Sequence, residues 1–124
     1  MPRVVHFEIS ANNPEAQAKF YGETFGWEIT KWAGPQDYWL IKTGEPGTPG
    51  IDGGFFKPTE TFTATVNTIQ VDNLDAYIEK VKAAGGTMAL EKQPIPGVGW
   101  LAYCKDPEGT LFALHQEDPT AGTG

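Results

Sequence analysis

Two histidines stand near opposite ends of the chain, each on a segment with the alternating pattern of a strand. His6 would share one strand face with Glu8, and His115 would share one with Ala113. An imidazole can act as a general base, hydrogen-bond a ligand or coordinate a metal, and a neighbouring carboxylate or second histidine can adjust its pKa. His6, Glu8 and His115 are therefore the candidate catalytic residues.

The faces that carry these residues are mixed in character, neither uniformly apolar nor uniformly charged. One interpretation is a solvated surface, and the other is a concave pocket that binds a ligand. Gly53-Gly54 would add space to such a pocket, and Trp39 or Tyr38 would form an aromatic wall. The alternation of side chains along a strand does not decide whether Trp100, or Leu101 with Tyr103, faces inward. The predicted ligand-binding residues are His6, Glu8, Trp39, Gly54, Thr68, Trp100 and His115.

The elements that must position these residues occur twice in one order: strand, helix, three strands. Asn13-Pro14 predicts the start of the first helix and Gly26 its end, whereas Asp72 and Asp75 resemble a capping box for the second. The predicted strands are 3–9, 27–32, 38–42, 51–56, 66–71, 87–92, 99–104 and 110–116. We therefore predict an α+β fold in one domain, 1–117, made of two βαβββ modules over about 3–57 and 62–117. A flexible tail is predicted over 118–124.

The overall composition of the chain limits the classes of molecule that it is expected to bind. Nine basic and sixteen acidic residues give a net charge of −7, which disfavours nucleic acid and anionic lipid as partners. No apolar run approaches the roughly 20 residues that span a bilayer, and no charged-then-apolar leader opens the chain. The single cysteine, Cys104, excludes an internal disulfide, so we expect a cytoplasmic protein in which this thiol is a small buried hydrophobe.

Five segments carry a resemblance to a known family: VVHFEIS, FYGETFGWEI, GIDGGFF, VDNLDAYIEKVKAAGG and IPGVGWLAYCKDPEGTLFALHQ. Over residues 4–117 the chain resembles the vicinal oxygen chelate superfamily, the group of glyoxalase I, bleomycin-resistance proteins and extradiol dioxygenases. The resemblance implies paired βαβββ modules that form a curved eight-stranded mixed sheet around a cleft. It also implies a homodimer.

The same resemblance implies a divalent metal held by His and Glu from the first and last strands of the modules. Carried over by position, the usual ligand sites fall on Val4, Val66 and Ala113, which have no donor atoms. We therefore predict no metal or other cofactor. The alternative is a relocated metal site on His6 and His115, completed by Glu8 or a water.

Our leading hypothesis is a member of the superfamily that binds a small molecule in the cleft without the usual metal site. One alternative is a metal-dependent lyase or dioxygenase with shifted ligands, His6 and His115. Another is a drug-binding resistance protein, because an acidic aromatic cleft suits a cationic ligand. If side chains fill the cleft, a structural or interaction role would remain. These hypotheses include both enzymes and proteins without catalytic activity.

Overall fold

A computed structural model describes residues 2–34, 36–58 and 63–122 of the chain. The elements are β1 (Arg3–Ser10), α1 (Pro14–Phe25), β2 (Glu28–Lys31), β3 (Tyr38–Lys42), β4 (Asp52–Phe56), β5 (Thr65–Gln70), α2 (Leu74–Ala83), β6 (Thr87–Ile95), β7 (Gly99–Lys105) and β8 (Leu111–Glu117). The strands form a mixed sheet in the order β2-β3-β4-β1-β5-β8-β7-β6. This confirms the predicted α+β fold of two βαβββ modules. Within the described ranges, no helix is long and apolar enough to cross a membrane.

The structure contains two compact units, which we call the first module (residues 6–66) and the second module (residues 67–122 with the start of β1). In the first module β1 runs parallel to β4, and β3 runs antiparallel to both β4 and β2. α1 begins as predicted, since the Asn13 side chain accepts a hydrogen bond from the Ala16 N–H at 3.2 Å. Gly26, at φ 75°, ends the helix in the left-handed conformation that glycine adopts without strain.

The core of the first module lies between α1 and one face of its strands. Trp39, Ile41 and Phe55 are buried there, and Phe7 and Ile9 of β1 pack against them. Because successive side chains of a strand alternate between faces, the residues one position away point to the other face. That opposite face carries His6, Glu8, Tyr38, Leu40 and Gly54.

In the second module β5 runs parallel to β8, and β7 runs antiparallel to β8 and β6. The residue that caps α2 is Asn73, whose side chain accepts from the Ala76 N–H at 3.1 Å. The predicted capping box of Asp72 and Asp75 is therefore wrong, because Asn73 occupies the capping position and the helix begins at Leu74. The Leu74 N–H, which has no partner within the helix, donates a hydrogen bond to Gln116 Oε1 at 2.7 Å.

The core of the second module lies between α2 and the facing strands. Its buried residues are Val71, Leu74, Ile78, Ala102, Cys104 and Leu114. Cys104 is a free, fully buried thiol, and burial is the main cause that raises its pKa. Cys104 thus occupies a small apolar position in the core, with its sulfur 3.8 Å from that of Met88.

The segment after β8 turns back onto the β6–β7 connection of the second module. The Asp118 N–H donates to the Val98 carbonyl at 3.0 Å, and Gly97 N–H donates to the Ala121 carbonyl at 3.0 Å. Ala121 is buried. Residues 118–122 thus pack against this connection, and 123–124 lie outside the described residues, so the flexible tail over 118–124 stays a prediction.

Candidate functional site

The polar face of the first module brings together two side chains from separate strands. His6 Nε2 and the Tyr38 hydroxyl are 2.7 Å apart, and the two rings are stacked at a tilt of 21°. β4 lies between β1 and β3, so the contact reaches across a strand. The distance is that of a hydrogen bond, in which the tautomer of His6 decides which group donates.

Gly54 makes this contact possible. A Cβ atom built on Gly54 would overlap the hydroxyl and ring carbons of Tyr38. The tyrosine ring therefore lies directly over the backbone of β4, where any side chain would displace it. Gly54, predicted as a ligand-lining residue, thus provides space that Tyr38 occupies.

Glu8 supplies a buried carboxyl group on the same face. It pairs with Gly54 in the β1–β4 register and is only 6% exposed. A buried carboxylate is stable only when it is hydrogen-bonded or paired. Throughout the described part of the chain, every buried side-chain nitrogen and oxygen has a hydrogen-bond partner. Glu8 is therefore held in place as a polar group beside the His6–Tyr38 pair.

Trp32 adds an aromatic wall to this site. Its ring meets the Tyr38 ring edge-on, with centroids 6.3 Å apart and an angle of 82°. Trp32 also covers Gly34, at which a Cβ atom would overlap the indole. We call the set of His6, Glu8, Trp32, Tyr38 and Gly54 the polar-face cluster.

Asp52 lies on the same face, but its carboxylate is hydrogen-bonded to a loop. It pairs with His6 in the β1–β4 register, yet its Oδ1 accepts hydrogen bonds from the Thr43 N–H at 2.9 Å and the Thr43 hydroxyl at 3.2 Å. These bonds close the glycine- and proline-rich connection between β3 and β4. A cavity of about 180 Å³ lies in that connection, lined by residues 43–50 and Asp52, not by the polar-face cluster.

In the second module, His115 lies on the strand face turned away from α2. The register places it beside Gln70 of β5 and Leu101 of β7, and places Tyr103 beside Ala113. His115 is half-buried, and this burial lowers its pKa, partly opposed by the charge of Glu117. Burial therefore favours the neutral form of this imidazole.

Two tryptophans predicted to line the ligand face are instead packed with the helix-facing cores. Trp39 is buried in the core of the first module, and Trp100 packs against that of the second, with its indole N–H 3.1 Å from Asp118 Oδ2. Tyr38 and Tyr103 lie on the opposite faces of their strands. Thr68, also predicted, is buried and pairs with Ala113 on the same face as His115.

The strand register shows which residues lie beside the positions predicted for the usual metal ligands. Ala113 pairs with Thr68 and not with Val66. The shift of 62 residues between the modules relates Thr68 to His6, so the equivalent pair in the first module is His6 and Asp52. Val66 therefore lies two residues before the register partner of Ala113, and the assignment of the usual ligand positions to Val4, Val66 and Ala113 stays a prediction.

In the part of the chain that the structure describes, the side chains at the predicted ligand positions do not fit a bound divalent metal. Val4, Val66 and Ala113 have no donor atoms, and Asp52 Oδ1 is already bonded to Thr43. Across the ranges that the structure describes, no three His, Cys, Asp or Glu side chains group closely enough to hold a metal ion. The alternative ligands His6 and His115 belong to different modules, and neither module alone supplies such a group.

Sequence comparisons identify related proteins. The model of the Glyoxalase/Bleomycin resistance protein/Dioxygenase superfamily matches residues 3–114. The chain is 29% identical over 122 residues to "Putative glyoxylase CFP32" of Mycobacterium tuberculosis, covering 90% of this chain and 43% of that protein. It is 24% identical over 124 residues to "Probable lactoylglutathione lyase" of Vibrio parahaemolyticus, covering 92% and 90%. The chain thus spans less than half the length of the mycobacterial relative.

Comparison with solved structures shows the same fold. Methylmalonyl-CoA epimerase of Mycobacterium tuberculosis matches with a TM-score of 0.70 at 14% identity, covering 94% of this chain and 88% of the epimerase. A hypothetical protein of Bacillus halodurans matches with a TM-score of 0.71 at 15% identity, covering 98% and 99%. At these identities the likeness concerns the fold alone.

Proposed function

We propose that this chain, which belongs to the Glyoxalase/Bleomycin resistance protein/Dioxygenase superfamily, binds a small oxygen-rich molecule at the polar-face cluster of its first module. The observation that carries the proposal is the 2.7 Å contact between His6 and Tyr38 over Gly54. A glycine, a histidine and a tyrosine meet there beside a buried carboxyl group. Such convergence of polar groups is typical of ligand sites.

The cluster offers both polar and apolar contacts to a ligand. Imidazole and phenol groups each donate and accept hydrogen bonds, so together they suit carbonyl and hydroxyl oxygens. Trp32 and Leu40 supply apolar surface, and Leu40, which pairs with Gly54, is 44% exposed. A ligand with oxygens at one end and an apolar or extended portion at the other would match this arrangement.

We propose that binding needs no metal ion. The donor chemistry of the described residues supports this, because the positions expected to hold a metal carry valine and alanine. His6 instead directs one ring nitrogen at a hydroxyl of the protein. A ligand would therefore be held by hydrogen bonds, which favour neutral oxygen atoms over strongly charged groups on this acidic chain.

Relatives suggest the first compounds to test. The Vibrio parahaemolyticus relative is named for lactoylglutathione, a thioester whose acyl group carries a hydroxyl beside its carbonyl. Methylmalonyl-CoA, in the name of a fold neighbour, is also a thioester but bears a carboxylate on its acyl group. We propose the acyl group with adjacent oxygens as the part that the polar-face cluster binds.

Titration with S-lactoylglutathione while tryptophan fluorescence is recorded tests the proposal. Trp32 contacts Tyr38, so a ligand at the cluster should change its emission. Tyr38→Phe removes only the hydroxyl and should weaken binding about tenfold, the loss of one hydrogen bond to a polar ligand. Glutathione alone separates recognition of the acyl group from that of the peptide, and methylmalonyl-CoA tests the preference for neutral oxygens.

Tyr77→Phe in the second module is the matched control, because it deletes the same hydroxyl far from the cluster in sequence. Its affinity should equal that of the unmodified protein. Equal binding by Tyr38→Phe, or no fluorescence response to any oxygen-bearing acyl compound at millimolar concentration, would contradict the proposal. One equivalent of a transition metal retained by untagged protein would contradict the metal-free part alone.

A further inference from the structure

The C-terminal half of α1 carries aromatic rings at the surface of the first module. Phe20 is 54% exposed and Phe25 is 59% exposed. Both rings contact the half-buried Tyr21, at centroid distances of 5.0 Å and 6.1 Å, so they extend the aromatic part of the core to the surface. Exposed apolar rings next to a charge are a frequent feature of contact surfaces. We call Phe20, Glu23 and Phe25 the α1 aromatic surface.

The charge at this end of α1 is negative, and the last turn of the helix contains no basic residue. Glu23 lies three residues after Phe20 and is therefore next to it on the helix. Among the described residues Glu23 takes part in no ion pair. Lys19 precedes Glu23 by four residues, but Lys before Glu is the less favourable order for pairing on a helix. The helix dipole adds partial negative charge at the same end, so the surface attracts a cation.

The backbone at this end of α1 offers acceptors as well. The Gly26 N–H donates to the Gly22 carbonyl at 2.9 Å, whereas the carbonyls of Glu23, Thr24 and Phe25 accept no backbone hydrogen bond from the described residues. The last carbonyls of a helix are commonly satisfied by water or by a basic side chain. A cation with several N–H donors would therefore find both a carboxylate and free carbonyl oxygens here.

We infer that the α1 aromatic surface binds an arginine-bearing segment of another protein. A guanidinium group stacks on an aromatic ring through its face and donates hydrogen bonds in its plane. Such a group on Phe20 would direct its N–H donors at the neighbouring Glu23 carboxylate. The ammonium of a lysine would pair with Glu23 but has no flat face to stack. The net charge of −7 disfavours nucleic acid and anionic lipid as occupants.

The size of the surface favours a short segment over a globular partner. Phe20 and Phe25 together expose about 200 Å² of ring surface, whereas a stable interface buries about 800 Å² on each side. The two residues are about 7.5 Å apart along the helix axis. Alternate residues of an extended segment are about 6.8 Å apart, so two arginines separated by one residue match this spacing. The chain itself has a single arginine, Arg3 in β1, so a second copy matches the surface poorly.

Calorimetric titration with the peptide acetyl-Gly-Arg-Gly-Arg-Gly-amide tests the inference, which is independent of the ligand proposed for the polar-face cluster. The unmodified chain should bind the peptide with a Kd of about 0.1–1 mM. The same peptide with lysine in place of arginine should bind about threefold more weakly, because stacking is lost. Glu23→Gln should raise the Kd about threefold. Phe20→Leu with Phe25→Leu keeps the apolar bulk and should raise the Kd about fivefold or more, with an unchanged circular dichroism spectrum.

Glu108→Gln is the matched control, since it removes the same charge from an exposed turn of the second module. Its Kd should equal that of the unmodified chain. No heat of binding at about 5 mM peptide would overturn the inference. So would equal weakening by Glu108→Gln and Glu23→Gln, because the attraction would then come from the overall charge. A dimer of the unmodified chain that Phe20→Ser with Phe25→Ser abolishes would also overturn it, because a second copy would then occupy the surface.

Discussion

Replacing Gly54 with alanine should separate His6 from Tyr38. The added methyl group would occupy the space of the Tyr38 hydroxyl, closer than the 3.0 Å that Cβ atoms essentially never cross. Tyr38 is a side chain and can rotate away, whereas the backbone of β4 is held on both sides by β1 and β3. The ring is therefore the part that moves.

The size of the effect follows from the geometry. A retreat of about 1 Å would lengthen the 2.7 Å contact beyond the ~3.5 Å at which hydrogen bonding ends. Loss of this partly buried bond should cost about 0.5–1.5 kcal/mol. Replacing glycine with alanine also raises the free energy of unfolding by about 0.4–1 kcal/mol, because alanine reduces the conformational entropy of the unfolded chain. The free energy of unfolding should thus fall by about 1 kcal/mol or less, while the local contact is lost.

Urea unfolding and two-dimensional NMR of the His6 ring provide the assay. The ring Nε2 resonance of His6 should move to the position found in Tyr38→Phe, and Trp32 emission should change with it. Ligand affinity should fall at least as much as in Tyr38→Phe, because the methyl group also narrows the polar-face cluster.

Gly53→Ala is the contrasting variant. Its methyl group would press on the carbonyl oxygen and ring of Phe7, and the carbonyl belongs to the backbone of β1. The free energy of unfolding of this variant should fall by about 2–3 kcal/mol, the upper part of the range for overpacking, because the strand backbone cannot move away. If Gly54→Ala keeps the His6 resonance unchanged, or destabilises as strongly as Gly53→Ala, the argument that Tyr38 is the movable part is refuted.

Three further outcomes are expected. Burial lowers the His115 pKa below 6.5, so as the pH falls this histidine is protonated earlier in the unfolded chain than in the folded one. The free energy of unfolding should therefore drop as the pH falls through about 6.5, the ordinary pKa of histidine, and His115→Gln should remove part of that slope in urea titrations. In the same assay, Asn73→Ala should lower the free energy of unfolding by about 1 kcal/mol through loss of the cap on α2, and Asn13→Ala should do the same on α1. If Asp72 were the cap of α2, Asn73→Ala would leave the free energy of unfolding unchanged. Gly99→Ala should shift the His115 resonances and lower the thermal midpoint, because its methyl group would collide with the Gln116 carbonyl and lie 2.8 Å from His115 Nε2; an unchanged spectrum would contradict this.

Local signals predicted the elements well where one residue decides the conformation. Asn13-Pro14 and Gly26 fixed both ends of α1, and alternation assigned His6 and His115 to the correct strand faces. The second helix shows the limit of such signals. Asp72 and Asn73 are both good capping residues, and the sequence pattern alone does not show that the helix begins at Leu74, directly after Asn73.

Alternation failed where both faces of a strand are apolar. In β3 the sequence Tyr38-Trp39-Leu40-Ile41 contains no polar residue, so its parity is undetermined, and the larger ring was wrongly placed on the polar face. Trp100 and Leu101 in β7 present the same ambiguity. The core decides both cases through contacts distant in sequence.

The contact between His6 and Tyr38 depends on the order of three strands, which no local pattern encodes. One available signal was the Gly53-Gly54 pair inside a strand, since glycine there often marks the close approach of another group. The packing of Ala121 had no comparable signal, because a small, polar segment is typical of a free end. Its place is determined by the β6–β7 connection that it covers.

Cys104 offers a way to time the opening of the second module. It is the only thiol in the chain and is fully buried, so a reagent such as dithionitrobenzoate can react only when the module opens. Under native conditions the labelling rate therefore reports opening of the second module. Once Trp100 is replaced by phenylalanine, the remaining tryptophans all belong to the first module, and their emission reports its opening. Comparing the two rates along a urea series would show whether both halves of this chain open in one cooperative event or in two.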